Sequence, residues 1–358
     1  MFNRFRFSKI LYSIILLLFS FSAMAIFTLP SLIGGVSAAQ STWWQPTSAA
    51  PIHWQWQIGT DFNISTDLVP SVTVYDVDGF STSQATVTAL HDLGYKVIAY
   101  FSFGTYEDWR PDAASFPSNV KGSTNGWPGE NWLDIRADSV KTIMTARINL
   151  AVSKGFDAIE PDNIDGYSNS TGFPLTASDQ LAYNEWISTA VHAAGLSVGL
   201  KNDIDQVSTL EPYFDWYLNE ESYKYSEYSN LSDFVNANKA VFEVEYGSSA
   251  PQASTMNSLH LNSITRDLDL TSPSTSGYKR IPCIPDTQNT WTNSVAIPET
   301  PSWDINGDHV CNLLDVGAIG LHWNQTGTPG WIPEDVNRDG RVDILDVSIL
   351  GLHWVRRW

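Results

Sequence analysis

A repeated helix–glycine–strand unit limits the folds that the middle of this chain can adopt. Gly94, Gly155 and Gly195 each end a helical stretch and precede a short β-rich run. Glycine readily takes the left-handed conformation that ends a helix, after which the chain can turn into a strand. Strands that alternate with helices pair in parallel. The repeat therefore predicts an α/β domain built on a parallel sheet.

The spacing of the apolar runs indicates how many such units there are. A helix is predicted at 178–194, because Tyr183, Ile187 and Val191 recur at helical spacing. Strands are predicted at 54–58, 71–76, 96–101, 156–159, 196–200, 214–218, 241–245 and 262–268. Eight strands within residues 51–285 favour a closed (β/α)8 TIM-like barrel over an open sheet.

Both ends of the chain differ in composition from this domain. Residues 1–39 combine Arg4, Arg6 and Lys9 with a long apolar run and a final Ser-Ala-Ala, the pattern of a secretory signal peptide. An uncleaved membrane anchor is the alternative, since the run is long enough to span a bilayer. The remaining segments are a spacer at 40–50, a Pro-, Thr-, Ser- and Asn-rich linker at 286–302, and a small module at 303–358.

The charge of the chain restricts its partners. The net charge is −19, and it becomes about −22 once the three cationic residues of the signal segment are removed. Such acidity excludes nucleic acid as a partner, because the phosphates would be repelled. It suits calcium binding and would attract a cationic substrate, although it equally serves the solubility of an exported protein.

Acidic and amide side chains follow nearly every predicted strand, where the active site of a barrel forms. Trp109, Trp127, Trp132, Tyr167 and Tyr246 are interleaved with these acids. Glycoside hydrolysis needs one carboxylic acid that protonates the leaving oxygen and a second carboxylate that attacks the anomeric carbon or activates water. Any single acid could instead cap a helix, but a whole ring of acids with aromatic walls favours a glycosidase over a non-catalytic sugar-binding barrel.

Four ordered motifs make this interpretation more specific. They are residues 100–112 (YFSFGTYEDWRPD), 126–136 (GWPGENWLDIR), 155–167 (GFDAIEPDNIDGY) and 199–202 (GLKN). Over residues 51–285 the chain resembles glycoside hydrolase family 114, the endo-α-1,4-polygalactosaminidases. The resemblance implies hydrolysis of α-1,4-linked galactosamine polymers. It also implies that Asp162 is the nucleophile and Glu220 the general acid/base.

The resemblance further implies a set of sugar-binding residues. Glu245 is the substitute for Glu220, and Asp165 is the substitute for Asp162. The family often has cysteines after the sixth strand, where Ser222 and Tyr228 stand here, so no loop disulfide is expected. The implied sugar-binding residues are Asp76, Tyr100, Glu107, Arg136, Asp165, Lys201, Asn202, Glu245 and Tyr246.

The module at 303–358 contains two twelve-residue loops, 304–315 and 335–346, that align with each other. Both supply side-chain oxygens at loop positions 1, 3, 5, 9 and 12, the spacing that wraps a hard cation such as calcium. The predicted ligands are Asp304, Asn306, Asp308, Asn312 and Asp315 in the first loop and Asp335, Asn337, Asp339, Asp343 and Asp346 in the second.

Each loop leads into a short predicted helix, at 316–323 and at 347–354, and this duplication resembles a type I dockerin. The resemblance implies two structural calcium ions and a cohesin-bearing scaffold protein as the partner. His309 stands where the loop turns sharply and glycine is usual, so the first site is expected to bind calcium more weakly. A calcium-stabilised self-association module is the alternative. A bridge between the two cysteines, Cys283 and Cys311, is a minor possibility.

Overall fold

A computed structural model describes residues 43–247, 251–291, 311–327 and 340–352, together with Ile305, Ile332 and residues 334–337. The signal segment, most of the linker and several tail ligands lie outside the described residues. Nine strands form one sheet in the order β1-β2-β3-β7-β8-β9-β10-β11-β12. These strands are β1 (Trp54–Gln57), β2 (Val74–Asp78), β3 (Lys96–Ser102), β7 (Ala158–Asp162), β8 (Ser197–Lys201), β9 (Trp216–Glu220), β10 (Val241–Tyr246), β11 (Leu261–Arg266) and β12 (Arg280–Pro282).

The eight predicted strands are confirmed, with boundaries shifted by a few residues. Seven consecutive pairings from β1 to β11 are parallel. The three glycines that end the preceding helical segments have φ values of 88° (Gly94), 84° (Gly155) and 81° (Gly195). Those left-handed conformations are the ones that the helix–glycine–strand repeat predicts.

The sheet closes differently from the prediction of a regular eight-stranded barrel. A ninth strand, β12, pairs antiparallel with β11, and no strand pairing is recorded between β1 and the other end of the sheet among the described residues. Side chains bridge this seam instead. Arg280 Nε donates to the Trp54 carbonyl (2.9 Å), and Arg266 Nη1 donates to Gln55 Oε1 (2.7 Å). The domain is therefore a barrel-like α/β fold.

Side-chain alternation divides each strand between two cores. Val74, Ile98, Trp216 and Phe242 belong to a cluster inside the barrel, whereas residues of the opposite parity pack outward against the helices. Gly199 faces inward, and a Cβ atom there would lie 2.4 Å from the Trp216 ring. The lower half of the lumen is thus filled with apolar side chains, and polar side chains occupy the upper, C-terminal half.

The helices alternate with the strands less regularly than predicted. No helix follows β1 or β11 among the described residues, and the prediction of helices between all eight strands is wrong at those places. The predicted helix at 178–194 is confirmed at Ala177–Ala193. The barrel-domain helices are α1 (Gln84–Asp92), α2 (Asp138–Lys154), α3 (Ala177–Ala193), α4 (Val207–Leu210), α5 (Ser232–Asn236) and α6 (Ala253–Ser258).

An additional small sheet interrupts the chain between β3 and α2. It contains β4 (Thr105–Glu107), β5 (Lys121–Thr124) and β6 (Glu130–Leu133), with β6 in the centre and both pairings antiparallel. Its Leu133 N–H donates to the Gly104 carbonyl at 2.9 Å. The small sheet therefore starts directly above the end of β3 and forms one wall of the mouth of the barrel.

The described part of the tail has two helices, α7 (Leu313–Leu321) and α8 (Ile344–Leu352), which pack around Cys311, Ile319, Val336 and Leu350. They begin three residues before the predicted starts, at loop position 10. At α7, Asn312 and Asp315 form a capping box. At α8, Asp343 accepts from the Leu345 N–H (2.9 Å) and Asp346 accepts from the Asp343 N–H (2.8 Å). The two cysteines do not bond to each other: Cys311 Sγ lies 3.4 Å from the Leu350 carbonyl, and Cys283 Sγ lies 3.3 Å from the Pro251 carbonyl. Within the described residues, no helix has the length and apolarity needed to cross a bilayer.

Candidate active site

An open cleft of about 700 Å³ lies at the C-terminal ends of the strands. One wall comes from the small sheet, which contributes Glu107, Trp127 and Glu130. The opposite side comes from the ends of β8, β9 and β10. Of the predicted catalytic and sugar-binding residues, eight line this cleft: Tyr100, Glu107, Asp162, Asp165, Lys201, Asn202, Glu220 and Tyr246.

The ammonium group of Lys201 joins the two predicted catalytic carboxylates. Lys201 Nζ lies 3.1 Å from Asp162 Oδ1 and 3.4 Å from Glu220 Oε2. These two oxygens are therefore at most about 6.5 Å apart, within the range of glycosidase carboxylate pairs. The Lys201 side chain is buried, while those of Asp162 and Glu220 are 19% and 26% exposed. A buried cation thus lies between two solvent-accessible acids that line the cleft.

Hydrogen bonds from neighbouring strands fix each carboxylate. Asp162 Oδ2 accepts from the Tyr100 hydroxyl (3.0 Å) and from Asn163 Nδ2 (3.2 Å). Glu220 Oε2 accepts from Asn202 Nδ2 (3.0 Å), and Glu220 Oε1 accepts a short hydrogen bond from the Tyr246 hydroxyl. Asp162 and Glu220 are each the last residue of their strand, at the level of the lumen where water becomes accessible.

A layer of buried polar groups lies directly below this pair. Glu160 Oε1 accepts from Lys201 Nζ (2.6 Å), and Glu160 Oε2 accepts from the Trp56 indole N–H (3.0 Å). Burial raises the pKa of Asp76 well above its usual range, and the neighbouring Glu160 raises it further. Burial beside Glu160 therefore favours the neutral form of Asp76. The positive charge of Lys201 is therefore compensated by Glu160 below it and by Asp162 and Glu220 above it.

Two further acids of the cleft have raised pKa values. Burial raises the pKa of Asp165 to about 6, and the nearby Asp162 carboxylate adds to the effect. Burial raises the pKa of Glu130 to about 7, with repulsion from Glu107 as the second cause. Glu107 itself is engaged by Arg110, whose Nη2 lies 2.7 Å from Glu107 Oε1. The cleft therefore contains both anionic and readily protonated carboxyl groups.

Three predicted sugar-binding residues are not among those that line the cleft. Asp76 is fully buried beneath it, as described above. Arg136 lies on the surface and pairs with Asp134, with Nε 2.7 Å from Oδ1. Glu245 faces the outer side of β10, where its Oε1 accepts from the Tyr223 N–H at 2.8 Å. That placement argues against Glu245 as a substitute for Glu220, because an i, i+1 neighbour of the inward-facing Tyr246 must point away from the lumen.

Sequence reasoning assigned no role to Glu160, Asn163 or Glu130. Alternation along β7 could have found Glu160, because it has the same parity as Asp162 and must share its face. Asn163 has a φ of 60° and lies against Gly104, where a Cβ atom would lie 1.6 Å from the Asn163 carbonyl oxygen. That close approach of two loops depends on tertiary structure and leaves no local pattern.

The predicted calcium ligands are only partly described. Asp304, Asn306, Asp308 and Asp339 lie outside the described residues. In the second loop, Asp346 accepts from the N–H groups of Asn337 (3.1 Å) and Asp343 (2.8 Å), and Asp335 accepts from the Gly340 N–H (3.0 Å). In the first, Asp315 accepts from Ile305 and Asn312, both at 2.8 Å. Within the described residues, no three His, Cys, Asp or Glu side chains group as a metal site.

A barrel-like α/β domain with two neighbouring carboxylates that line an open cleft is typical of a glycosidase. Residues 35–283 match the model of glycoside-hydrolase family GH114, and the chain belongs to that family. Among curated proteins, none matches the chain.

Two solved structures compare as follows. The crystal structure of Aspergillus fumigatus Ega3 in complex with galactosamine is 33% identical, with 64% of this chain and 95% of that chain covered and a TM-score of 0.59. The glycoside hydrolase domain of PelA from Pseudomonas aeruginosa is 12% identical, with 63% and 98% covered and a TM-score of 0.49.

Proposed function

We propose that this protein is a secreted, endo-acting glycoside hydrolase that cleaves α-1,4-linked galactosamine-containing polysaccharide through Asp162 and Glu220. The observation that carries the proposal is the contact of both carboxylates with one buried ammonium group, Lys201, at the floor of an open cleft. The 33% identity to a protein solved with galactosamine supports an amino-sugar substrate. The acidic cleft favours the same choice, because the free amines of such a polymer are cationic.

The roles of nucleophile for Asp162 and acid/base for Glu220 follow the family pattern. Hydrogen bonds and one ammonium contact orient both groups: Asp162 has Tyr100, Asn163 and Lys201 as neighbours. Glu220 has Asn202, Tyr246 and Lys201. A separation of at most about 6.5 Å favours the retaining geometry of about 5–5.5 Å over the inverting range of 6.5–9.5 Å.

In the first step Asp162 attacks the anomeric carbon while Glu220 gives its proton to the leaving glycosidic oxygen. The glycosyl ester on Asp162 is then hydrolysed: Glu220 takes a proton from the attacking water, and the Asp162 carboxylate leaves. Lys201 stabilises the carboxylate that is released. The net reaction adds one water across one glycosidic bond and restores both acids.

The test is release of reducing ends from an α-1,4-galactosamine polymer by wild type, Asp162→Asn and Glu220→Gln. Asp269→Asn is the matched control, since Asp269 is an exposed acid that lines the same cleft. We expect both site variants to lose about a hundred- to ten-thousandfold in kcat, the range that a positioned acid or base contributes, and the control to stay near wild type. Azide should restore turnover of Glu220→Ala with retained configuration and of Asp162→Ala with inverted configuration.

Two alternative functions give different results in the same assay. A hydrolase of another amino-sugar exopolysaccharide would release reducing ends from that polymer, and not from the galactosamine polymer. A non-catalytic sugar-binding barrel would bind polymer in an affinity gel without releasing ends from any substrate, and the two variants would then bind as wild type does.

We further propose that the tail is a dockerin-like module that binds two calcium ions and a cohesin-bearing scaffold protein. The buried carboxylates of Asp315, Asp335 and Asp346 support this, because they are held inside their loops by backbone N–H groups and supply the hard oxygen donors that calcium prefers. Bound calcium would compensate the negative charge buried in each loop.

Two matching apolar pairs support a docking role. Leu313 and Leu314 begin α7 and are 72% and 64% exposed; Ile344 and Leu345 begin α8 and are 61% and 53% exposed. Exposed apolar pairs at equivalent positions of a duplicated unit are typical of a protein-binding surface. Capture of a cohesin module that is lost with chelator supports docking, whereas calcium-dependent dimerisation without capture favours self-association.

A further inference from the structure

The loop that follows Glu220, residues 221–231, is attached to the outer side of β10, and is called here the Glu220 loop. Val241 of β10 packs in the outer core, whereas Phe242 and Val244 face the lumen. By strand alternation, Glu243 and Glu245 therefore face outward, toward the Glu220 loop. Both side chains are fully buried. Two acids thus occupy a protein interior outside the catalytic cleft.

Glu245 binds the backbone of the Glu220 loop. Its Oε1 accepts from the N–H groups of Tyr223 (2.8 Å) and Lys224 (3.2 Å). Between these residues and the catalytic strand lies Glu221, whose φ is 59° and whose N–H donates to the Val244 carbonyl at 2.7 Å. A non-glycine residue in this left-handed region is retained only where its surroundings hold it. The hydrogen bonds to Val244 and Glu245 supply that restraint.

Glu243 binds the same loop beside Glu245, through Ser222. Glu243 accepts from the hydroxyls of Ser222 (3.2 Å) and Ser263, the latter through a short hydrogen bond. Burial raises the pKa of Glu243 well above its usual range, and the adjacent Glu245 carboxyl raises it further. The other titratable group that faces Glu243 is Cys283, whose thiol is neutral because burial raises its pKa to about 12.

The Glu220 loop is closed without a disulfide. Ser222 and Tyr228 stand where cysteines were expected from the family pattern. Here Ser222 binds Glu243, and the Tyr228 ring stacks on Tyr223 with centroids 5.8 Å apart and planes inclined by 25°. The Ser222 carbonyl also accepts from the Glu227 N–H at 2.7 Å. Hydrogen bonds to buried acids and one aromatic stack therefore hold this loop in place of a disulfide.

We propose that Glu245, supported by Glu243, is a positioning residue for Glu220. It fixes the turn at Glu221 and so determines the direction in which the Glu220 side chain leaves β9. This inference rests on the proposed role of Glu220 as the acid/base. Glu245 precedes Tyr246, whose hydroxyl donates to Glu220, so the same strand end positions Glu220 from both of its faces.

The experiment compares Glu245→Ala and Glu245→Gln with Asp215→Asn as the matched control. Asp215 lies just before the other end of β9, is also buried, and accepts the Val198 N–H (3.0 Å) and His192 Nε2 (2.9 Å). We expect Glu245→Ala to lower kcat by about ten- to a hundredfold with little change in KM, because displaced catalytic groups react slowly while substrate still binds. We expect Glu245→Gln to restore most of kcat, because its amide oxygen still accepts both N–H groups.

Thermal unfolding shows whether a variant is destabilised as a whole. Hydrogen exchange tests the attachment of the loop independently of enzyme activity. We expect the Tyr223 and Lys224 amides to exchange faster in Glu245→Ala than in wild type and unchanged in Asp215→Asn. Equal kcat in Glu245→Ala and Asp215→Asn, or equal loss in Glu245→Ala and Glu245→Gln, overturns the positioning role. If wild type cleaves no amino-sugar polymer, the proposed function fails. Amide exchange then tests the loop attachment alone, and unchanged exchange in Glu245→Ala overturns it.

Discussion

Lys201→Met is the most informative single substitution, because it removes one cation from three carboxylates without changing the size of the side chain greatly. Lys201 Nζ lies 2.6 Å from Glu160, 3.1 Å from Asp162 and 3.4 Å from Glu220, and the lysine is 1% exposed. Methionine fills the same space against the Trp56 ring, over which the ammonium now lies at 4.5 Å. The effects on stability and on catalysis can therefore be measured in one protein.

The structure gives the sign and size of both effects. Removing one partner of a buried ion pair costs about 3–5 kcal/mol of unfolding free energy, because the remaining charge is buried without compensation. Burial already raises the pKa of Glu160, and Lys201 opposes that rise. In Lys201→Met the pKa of Glu160 in the folded state therefore rises further above its value in the unfolded chain, about 4.3. The variant therefore loses the most stability at pH values above the folded-state pKa of Glu160. The loss becomes smaller as the pH falls toward the pKa of Glu160 in the unfolded chain. In catalysis, loss of one electrostatic donor costs about 10²–10³ in kcat.

The assay combines urea unfolding at pH 5 and pH 8 with reducing-end release. Lys224→Met is the matched control, because Lys224 pairs with Glu221 at the same 2.6 Å but its side chain is 44% exposed; we expect it to change stability far less than Lys201→Met, since solvent screens an exposed pair. If Lys201→Met loses no more stability than Lys224→Met, or loses equally at both pH values, the argument for a buried cation that compensates Glu160 is refuted.

Three further predictions concern other parts of the protein. Asp165→Asn should stabilise the fold by about 2–3 kcal/mol at pH 8 and by less than about 1 kcal/mol near pH 4, because the pKa of Asp165 is raised to about 6 and its burial is unfavourable only when charged; urea unfolding at the two pH values tests this. Trp127→Ala should raise KM for long oligomers more than for short ones, because this half-exposed ring lines the cleft and can stack on a sugar; Leu93→Ala, at the exposed C-cap of α1, is the control. Chelation of calcium should abolish scaffold binding but leave reducing-end release unchanged, and calorimetry with added calcium should show a weaker first-loop site.

The sequence predicted the eight main strands because the signals are local. Glycines that end helices and apolar runs that begin strands need no distant partner, and the structure places these elements as expected. The ninth strand was missed because β12 is three residues long and pairs with a strand fourteen residues earlier. Its register depends on Arg280 and Arg266, which bridge the seam to β1 through contacts that no periodicity records.

The sequence by itself determined that acids at strand ends gather at one mouth, since parallel strands share a direction. Only tertiary structure decided which acids face that mouth. Asp162 and Glu220 end their strands on the inner face, whereas Glu245 lies on the outer face and Asp76 lies below the water-accessible level. Lys201 became the centre of the site because three strands meet around its ammonium group. Charge compensation across separate strands is a three-dimensional property, and a linear pattern of residues does not contain it.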